Sequence, residues 1–243
     1  MTDIIRRKEM NTNRKTAIIV GVLFILGFAS IFDVVFVKPI LDDPNYLIKL
    51  TENKNLALMG VLSELIMAFA CAGIAIWLYP VLRKHNEALA LGAVGFRIIE
   101  NVFQIVAALG LLSLLTLSQE YVKADALAAP AFQAAGALLL AVRFWASLLL
   151  AQIGFGLGAL MYYYVFYQSR LIPRWLSGWG LIAIILHLTS VFLTNVGQID
   201  PFSGSPILLL SMPIFFQELT LAVWLIVKGF NPSAIASESA KQI

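Results

Sequence analysis

Charge is what this chain lacks most. Only 13% of its 243 residues are Asp, Glu, Lys or Arg, about half the share of an ordinary soluble domain. Hydrophobic residues make up 60%, and the mean hydropathy is +0.86. A globule of this length has no interior large enough to hide so much apolar surface, so a water-soluble fold is excluded. The net charge of +3 is too small and too scattered for a nucleic-acid footprint. Cysteine is nearly absent. The lone Cys71 rules out an internal disulfide, a cysteine-based metal site and an iron–sulfur cluster, and reads as a small packed side chain. Histidine is almost as scarce, with only His85 and His187. They sit roughly 18 Å apart in depth at about 1.5 Å per helical residue, too far to share a haem. No H-E-x-x-H motif is present and no Ser-His-Asp set stands out. No cofactor and no metal centre is therefore expected, and enzymatic chemistry is the least favoured reading. Gly154-Phe155-Gly156-Leu157-Gly158 is only superficially like a nucleotide loop. It lies in an apolar stretch with no preceding strand, where small residues serve close helix packing.

What the chain does have is long apolar runs. About 20 residues cross the hydrocarbon core of a bilayer as a helix. Six stretches reach that length, at about Thr16–Val37, Leu56–Leu82, Ala88–Leu117, Phe132–Tyr167, Trp175–Asn195 and Ile207–Lys228. The expected fold is all-α, a polytopic membrane helix bundle. A basic segment (1–15) would precede a six-span domain (16–230), and a disordered polar tail (231–243) would follow it. The third and fourth runs exceed a span and should tilt, kink or extend beyond the bilayer.

Basic residues set orientation. Arg6, Arg7, Lys8, Arg14, Lys15, Arg83, Lys84, Arg170, Arg174, Lys228 and Lys241 all fall on one side if six helices alternate. The opposite loops mix Lys38, Lys49, Lys54 and Lys123 with Asp42, Asp43, Glu52, Glu120, Asp125 and Asp200. Both termini are expected in the cytoplasm and the protein in the plasma membrane. The basic start and first apolar run also describe a signal peptide, but no clean A-x-A site follows, which favours a retained helix. Asp43 and Pro44 have the character of an N-cap and first helical residue, predicting a short outer-surface helix through about Asn53. Tyr162–Tyr164, Tyr167, Trp175 and Trp179 read as an interfacial aromatic belt.

Against this apolar background, Glu64, Arg97, Glu100, Arg143 and Glu218 stand inside the spans. A charge near the bilayer centre costs roughly 2.5–3.5 kcal/mol on insertion scales, so such residues are rare and usually functional. Helical periodicity places Arg97, Glu100, Asn101 and Gln104 on one stripe with Ala90, Ala93 and Ala108. Glu64 shares a face with Ala57, Gly60, Ala68 and Cys71, and Arg143 with Gly136, Ser147, Gly154 and Gly158. Glu218 aligns with Ser211 and Ala222, and His187 with Gly180, Ala183 and Ser190. Small residues mark helix contacts in membranes, so these groups are expected to point into the bundle. Asp33 and His187 are secondary candidates. Arginine stays protonated. Two arginines therefore face three glutamates, or four acids with Asp33, and at least one carboxylate must hold a proton or a cation. A single cavity open toward the outside is the expected arrangement. Glu64-Leu65 with Ala68 echoes Glu218-Leu219 with Ala222, too short a pattern to establish a repeat.

Several motifs resemble one family. They are Leu41-Asp42-Asp43-Pro44, Lys84-His85-Asn86-Glu87-Ala88-Leu89-Ala90-Leu91-Gly92, Gly95-Phe96-Arg97-Ile98-Ile99-Glu100, Leu171-Ile172-Pro173-Arg174-Trp175-Leu176-Ser177-Gly178-Trp179-Gly180 and Gln217-Glu218-Leu219. Over about Asn11 to Asn231 the chain resembles a bacterial membrane family designated domain of unknown function 4386. The resemblance implies the same fold class and draws attention to Arg97, Glu100 and Glu218, and it carries no activity. The expected function is binding or transport of a small solute, lipid or ion through the Arg/Glu cluster, with Glu218 as the proton-switching acid. The alternative is a structural, sensory or regulatory membrane subunit whose charges only fix packing. Its expected partners are the lipid bilayer, such a ligand, and a second copy or another membrane protein.

Overall fold

The computed structural model describes the backbone of residues 2–125, 127–195 and 205–239, and the side chains of residues 12–125, 127–194 and 209–235. Among the described residues every regular element is helical. The helices are α1 (Thr2–Leu26), α2 (Lys38–Leu41), α3 (Tyr46–Glu52), α4 (Lys54–Leu82), α5 (Glu87–Tyr121), α6 (Ala129–Trp145), α7 (Ala151–Ser169), α8 (Arg174–Asn195), α9 (Ser205–Val227) and α10 (Pro232–Ser239). Five helices are long and apolar enough to cross a membrane: Lys54–Leu82, Glu87–Tyr121, Ala129–Ser169, Arg174–Thr194 and Leu209–Val227. They coincide with the second to sixth apolar runs.

The first run departs from expectation. Hydropathy predicts a single span over Thr16–Val37, but α1 stops at Leu26 and the chain turns through Gly27–Ser30. Three-residue bonds tighten this turn, Ala29 N–H to Leu26 O at 3.0 Å and Phe32 N–H to Ala29 O at 3.1 Å. The helix then resumes with a π-helical turn, Asp33–Val37, directly before α2. Gly27 weakens the helix where it breaks. Pro39 lacks an amide, and its ring crowds the carbonyl four residues back, which favours local widening.

A second π-helical turn, Ala146–Leu150, joins α6 to α7 within one 41-residue apolar helix. The buried positions Arg143, Ala146 and Ala151 record it, since the last step is five residues instead of three or four. Inside the turn, Ser147 Oγ donates back to the Arg143 carbonyl at 2.9 Å, a bond that bends helices.

The chain forms two compact units. The first contains residues 1–25, 70–99 and 152–243, and the second residues 26–69 and 100–151. The core of the first packs Phe24, Leu78, Tyr162, Phe166, Leu176 and Leu225. The core of the second packs Val37, Leu50, Ala57, Val61, Leu111 and Leu114.

In the first unit Arg14 donates to the last carbonyls of α9, Leu225 O at 3.2 Å, Ile226 O at 2.6 Å and Val227 O at 3.2 Å. A cation there satisfies carbonyls that a helix end leaves open. Gly229 follows at φ +74°, and a Cβ on it would lie 2.9 Å from Arg14 Nη1. Gly229→Ala is therefore expected to destabilise by about 1–2 kcal/mol, read as a lower thermal unfolding temperature in detergent. The tail, expected to be disordered, instead carries α10 with Ala234 buried; residues 240–243 lie outside the described residues, as does Asp200.

In the second unit α3 is the expected short helix, starting at Tyr46 instead of Pro44. It buries Leu47 and Leu50, and Thr51 Oγ1 meets Ser118 Oγ of α5 at 2.5 Å. Asp43 accepts from the Asn45 amide at 2.8 Å, two residues on, and so orders the turn ahead of α3 instead of capping the helix. The Lys49 ammonium, bonded to Asp43, and that amide hold its carboxyl below the ordinary 3.8. A depressed carboxylate stabilises the folded state above its unfolded value and loses this as pH falls through its folded one. Amide-exchange protection of α3 is expected to weaken only below the ordinary aspartate range, and Asp43→Asn is expected to remove that pH dependence.

Candidate functional site

Three charged side chains of the second unit meet directly. Glu64 comes from α4, Arg143 from α6, and Asp33 from the π-helical turn before α2. Arg143 grips the Glu64 carboxylate with both terminal nitrogens, Nη1 to Oε2 at 3.0 Å and Nη2 to Oε1 at 2.5 Å. Nη2 also donates to Asp33 Oδ2 at 2.8 Å, and Nη1 to the Ala107 carbonyl of α5 at 2.9 Å. The three side chains belong to residues only 5–8% exposed. One guanidinium thus fastens three helical segments and a backbone carbonyl, with the two-pronged geometry that makes Arg–carboxylate pairs strong.

Glycines make room for this. A Cβ on Gly60 of α4 would lie 3.2 Å from Asp33 Oδ1, and one on Gly110 of α5 would lie 3.2 Å from Arg143 Cβ. Both π-helical turns adjoin the cluster. Asp33 opens the first, and Arg143 lies one turn before the second. Such turns are frequent at functional sites.

Charge does not balance here. Two carboxylates face one guanidinium. Both Glu64 oxygens and Asp33 Oδ2 receive bonds from Arg143, while Asp33 Oδ1 is buried with no hydrogen-bond partner among the described residues.

The first unit holds a second polar region. Arg97 of α5 is 1% exposed; its Nε donates to Cys71 O at 3.4 Å, and its guanidinium lies 5.0 Å from the Phe155 ring centroid. A Cβ on Gly158 would lie 3.0 Å from Arg97 Cγ. Glu218 of α9 accepts from the Tyr162 hydroxyl at 3.2 Å and feels the positive field of Arg97. Beside it Tyr163 donates to Gln217 Oε1, and Gln217 Nε2 donates to Leu176 O at 3.1 Å. His187 Nδ1 meets Ser211 Oγ at 3.0 Å, and its ring stands edge-on to Phe155.

The residues singled out from sequence point inward as expected. Glu64, Arg97, Glu100, Gln104, Arg143 and His187 are buried, Asn101 and Glu218 partly so. Of these, Asp33, Glu64 and Arg143 are joined by direct bonds. Glu100, Asn101 and Gln104 belong to the same unit, and Asn101 Oδ1 finds no partner among the described residues. Arg97, Glu218 and His187 belong to the other unit. A cleft of the second unit, lined by Tyr46, Ile48, Tyr121 and Gln133 among others, includes none of the three cluster residues.

Sequence reasoning missed the Tyr162, Tyr163 and Gln217 network. Tyr162 and Tyr163 are fully buried, unlike Tyr164, Tyr167 and Trp175 of the same expected belt, whose rings are exposed. Gln217, an amide beside an acid in an apolar helix, was the available signal.

Long apolar helices with an internal ion cluster define a multi-pass membrane helix bundle. The family model described as Domain of unknown function (DUF4386) matches residues 19–229, and the chain belongs to that family. No curated protein and no solved structure matches it.

Proposed function

We propose that the protein binds a proton or a small monovalent cation at the Asp33–Glu64–Arg143 cluster and uses it to drive a carrier cycle for a small solute. The carrying observation is the charge count: two buried carboxylates share one guanidinium, so neutrality calls for one further positive charge. The broken first span and the two π-helical turns beside the cluster support the reading, since discontinuous helices build the ion sites of carriers. In the same reading the broken first run completes six spans, and the basic loops put both termini in the cytoplasm of a cell bounded by this membrane.

One observation favours a second reading. Arg143 makes four hydrogen bonds to three groups, as a purely structural clamp would. Thermal unfolding in mild detergent, followed against pH and against sodium or potassium, separates the two. Under the carrier reading stability depends on one of these ions. For a single linked proton it falls by about 1.4 kcal/mol per pH unit as pH rises. Asp33→Asn and Glu64→Gln, each of which restores charge balance, flatten the response. A wild type as indifferent to pH and cations as its variants would leave only the clamp.

A further inference from the structure

The charge count leaves open what neutralises the cluster and which atom takes it. Three of the four carboxylate oxygens are committed to Arg143: Glu64 Oε1 at 2.5 Å, Glu64 Oε2 at 3.0 Å and Asp33 Oδ2 at 2.8 Å. The fourth, Asp33 Oδ1, is buried and without a hydrogen-bond partner among the described residues. Asp33 itself is 8% exposed. A buried carboxylate oxygen without a donor is costly to leave ionised.

A metal cation fits poorly. Hard cations such as calcium or magnesium take six or more oxygen ligands. A cation at Oδ1 would also stand beside a guanidinium that already holds both carboxylates. No group of three His, Cys, Asp or Glu side chains suited to a metal occurs among the described residues. A proton needs one oxygen and little space. On the α4 side the space is held open by Gly60, where a Cβ would come within 3.2 Å of Oδ1.

The charged groups facing Asp33 are Glu64 from α4 and Arg143 from α6, and α5 contributes the Ala107 carbonyl to the same guanidinium. Glu64 is gripped by both prongs of the guanidinium, the geometry that favours its ionised form, whereas Asp33 has one oxygen engaged by Arg143 and lies against the Glu64 carboxyl, with Oδ1 receiving no donor. We propose that the ion bound by the cluster is a proton and that it resides on Asp33 Oδ1, with Glu64 remaining the ionised partner of Arg143. The proton comes from the aqueous phase and converts the Asp33 carboxylate to the acid. The Arg143–Asp33 bond then loses its ionic character, while the Arg143–Glu64 pair keeps it. Asp33 thus becomes the switchable fastening between the resumed helix of the broken first span and α6. This rests on the ion-binding reading above and names the ion and its atom.

The test is infrared difference spectroscopy of the wild-type protein in lipid nanodiscs at neutral pH. Carboxyl carbons are labelled with carbon-13 in aspartate alone or in glutamate alone. The expected result is a protonated-acid carbonyl band that moves with the aspartate label and vanishes in Asp33→Asn. It also vanishes in Glu64→Gln, because removing either acid leaves a balanced ion pair. A glutamate-labelled band lost in Glu64→Gln would place the proton on Glu64 and overturn the assignment while sparing the carrier reading. An absent acid band, with unfolding that still responds to sodium or potassium, would replace the proton by a cation and likewise overturn it. Absence of the band together with indifference to pH and cations would remove the ion-binding reading as well.

Discussion

Arg143→Met is expected to lower the free energy of unfolding in mild detergent by about 3–5 kcal/mol, because it strands the buried Glu64 carboxylate and removes the donor to Asp33. In the folded protein Glu64 takes two bonds from Arg143 and Asp33 one. The Ala107 carbonyl loses a donor at the same time. An exposed arginine provides the reference. Arg170→Met, at the end of α7, removes a charge from the surface and is expected to change stability by no more than about 0.5 kcal/mol. Equal, small effects of the two substitutions would mean that Arg143 is not the keystone of the second unit.

Gly158→Leu is expected to disturb the packing of the first unit around Arg97. A Cβ at that position would lie 3.0 Å from Arg97 Cγ, 3.1 Å from Arg97 Cδ and 3.3 Å from the Ala93 carbonyl. Arg97 is 1% exposed and has its guanidinium over Phe155, so it has no free direction in which to retreat. Overpacking of this kind costs about 1–3 kcal/mol and occasionally more. Gly95→Leu supplies the contrast, since Gly95 is exposed and a Cβ there meets nothing within 4 Å. The expected outcome is a clearly lower unfolding temperature for Gly158→Leu and an unchanged one for Gly95→Leu.

Much of the fold was legible because bilayer thickness and helical period are strong constraints. Five of the apolar runs coincide with long apolar helices. The faces read from the 3.6-residue period are the buried ones. On α4, Ala57, Gly60, Glu64, Ala68 and Cys71 are all buried, and on α5 so are Ala90, Ala93, Arg97, Glu100, Gln104 and Ala108.

Partner choice between helices was not legible. Periodicity states which way Glu64 and Arg143 point, not that they point at each other. Asp33 lies near the end of the first apolar run, and in a continuous helix it would stand apart from the mid-membrane charges. The break at Gly27–Ser30 and the π-helical turn before Pro39 bring it to Arg143. Pro39 was a readable signal for that distortion. The turn at Ala146–Leu150 had only Ser147 to announce it, and a serine in a helix is too common to decide anything. Tyr162 and Tyr163 were misplaced for a related reason. Tyrosine suits a membrane interface and a hydrogen-bonded interior equally, and only the positions of Glu218 and Gln217 on α9 decide between them.

The most direct test of the account is a double-mutant cycle on Arg143 and Glu64, with unfolding free energies for the wild type, Arg143→Met, Glu64→Gln and the pair. If Asp33, Glu64 and Arg143 form one buried unit, the double variant is more stable than the sum of the single losses allows, by about 2 kcal/mol or more. Additive losses, with no coupling between the two positions, would contradict the cluster on which the carrier reading and the Asp33 proton both rest.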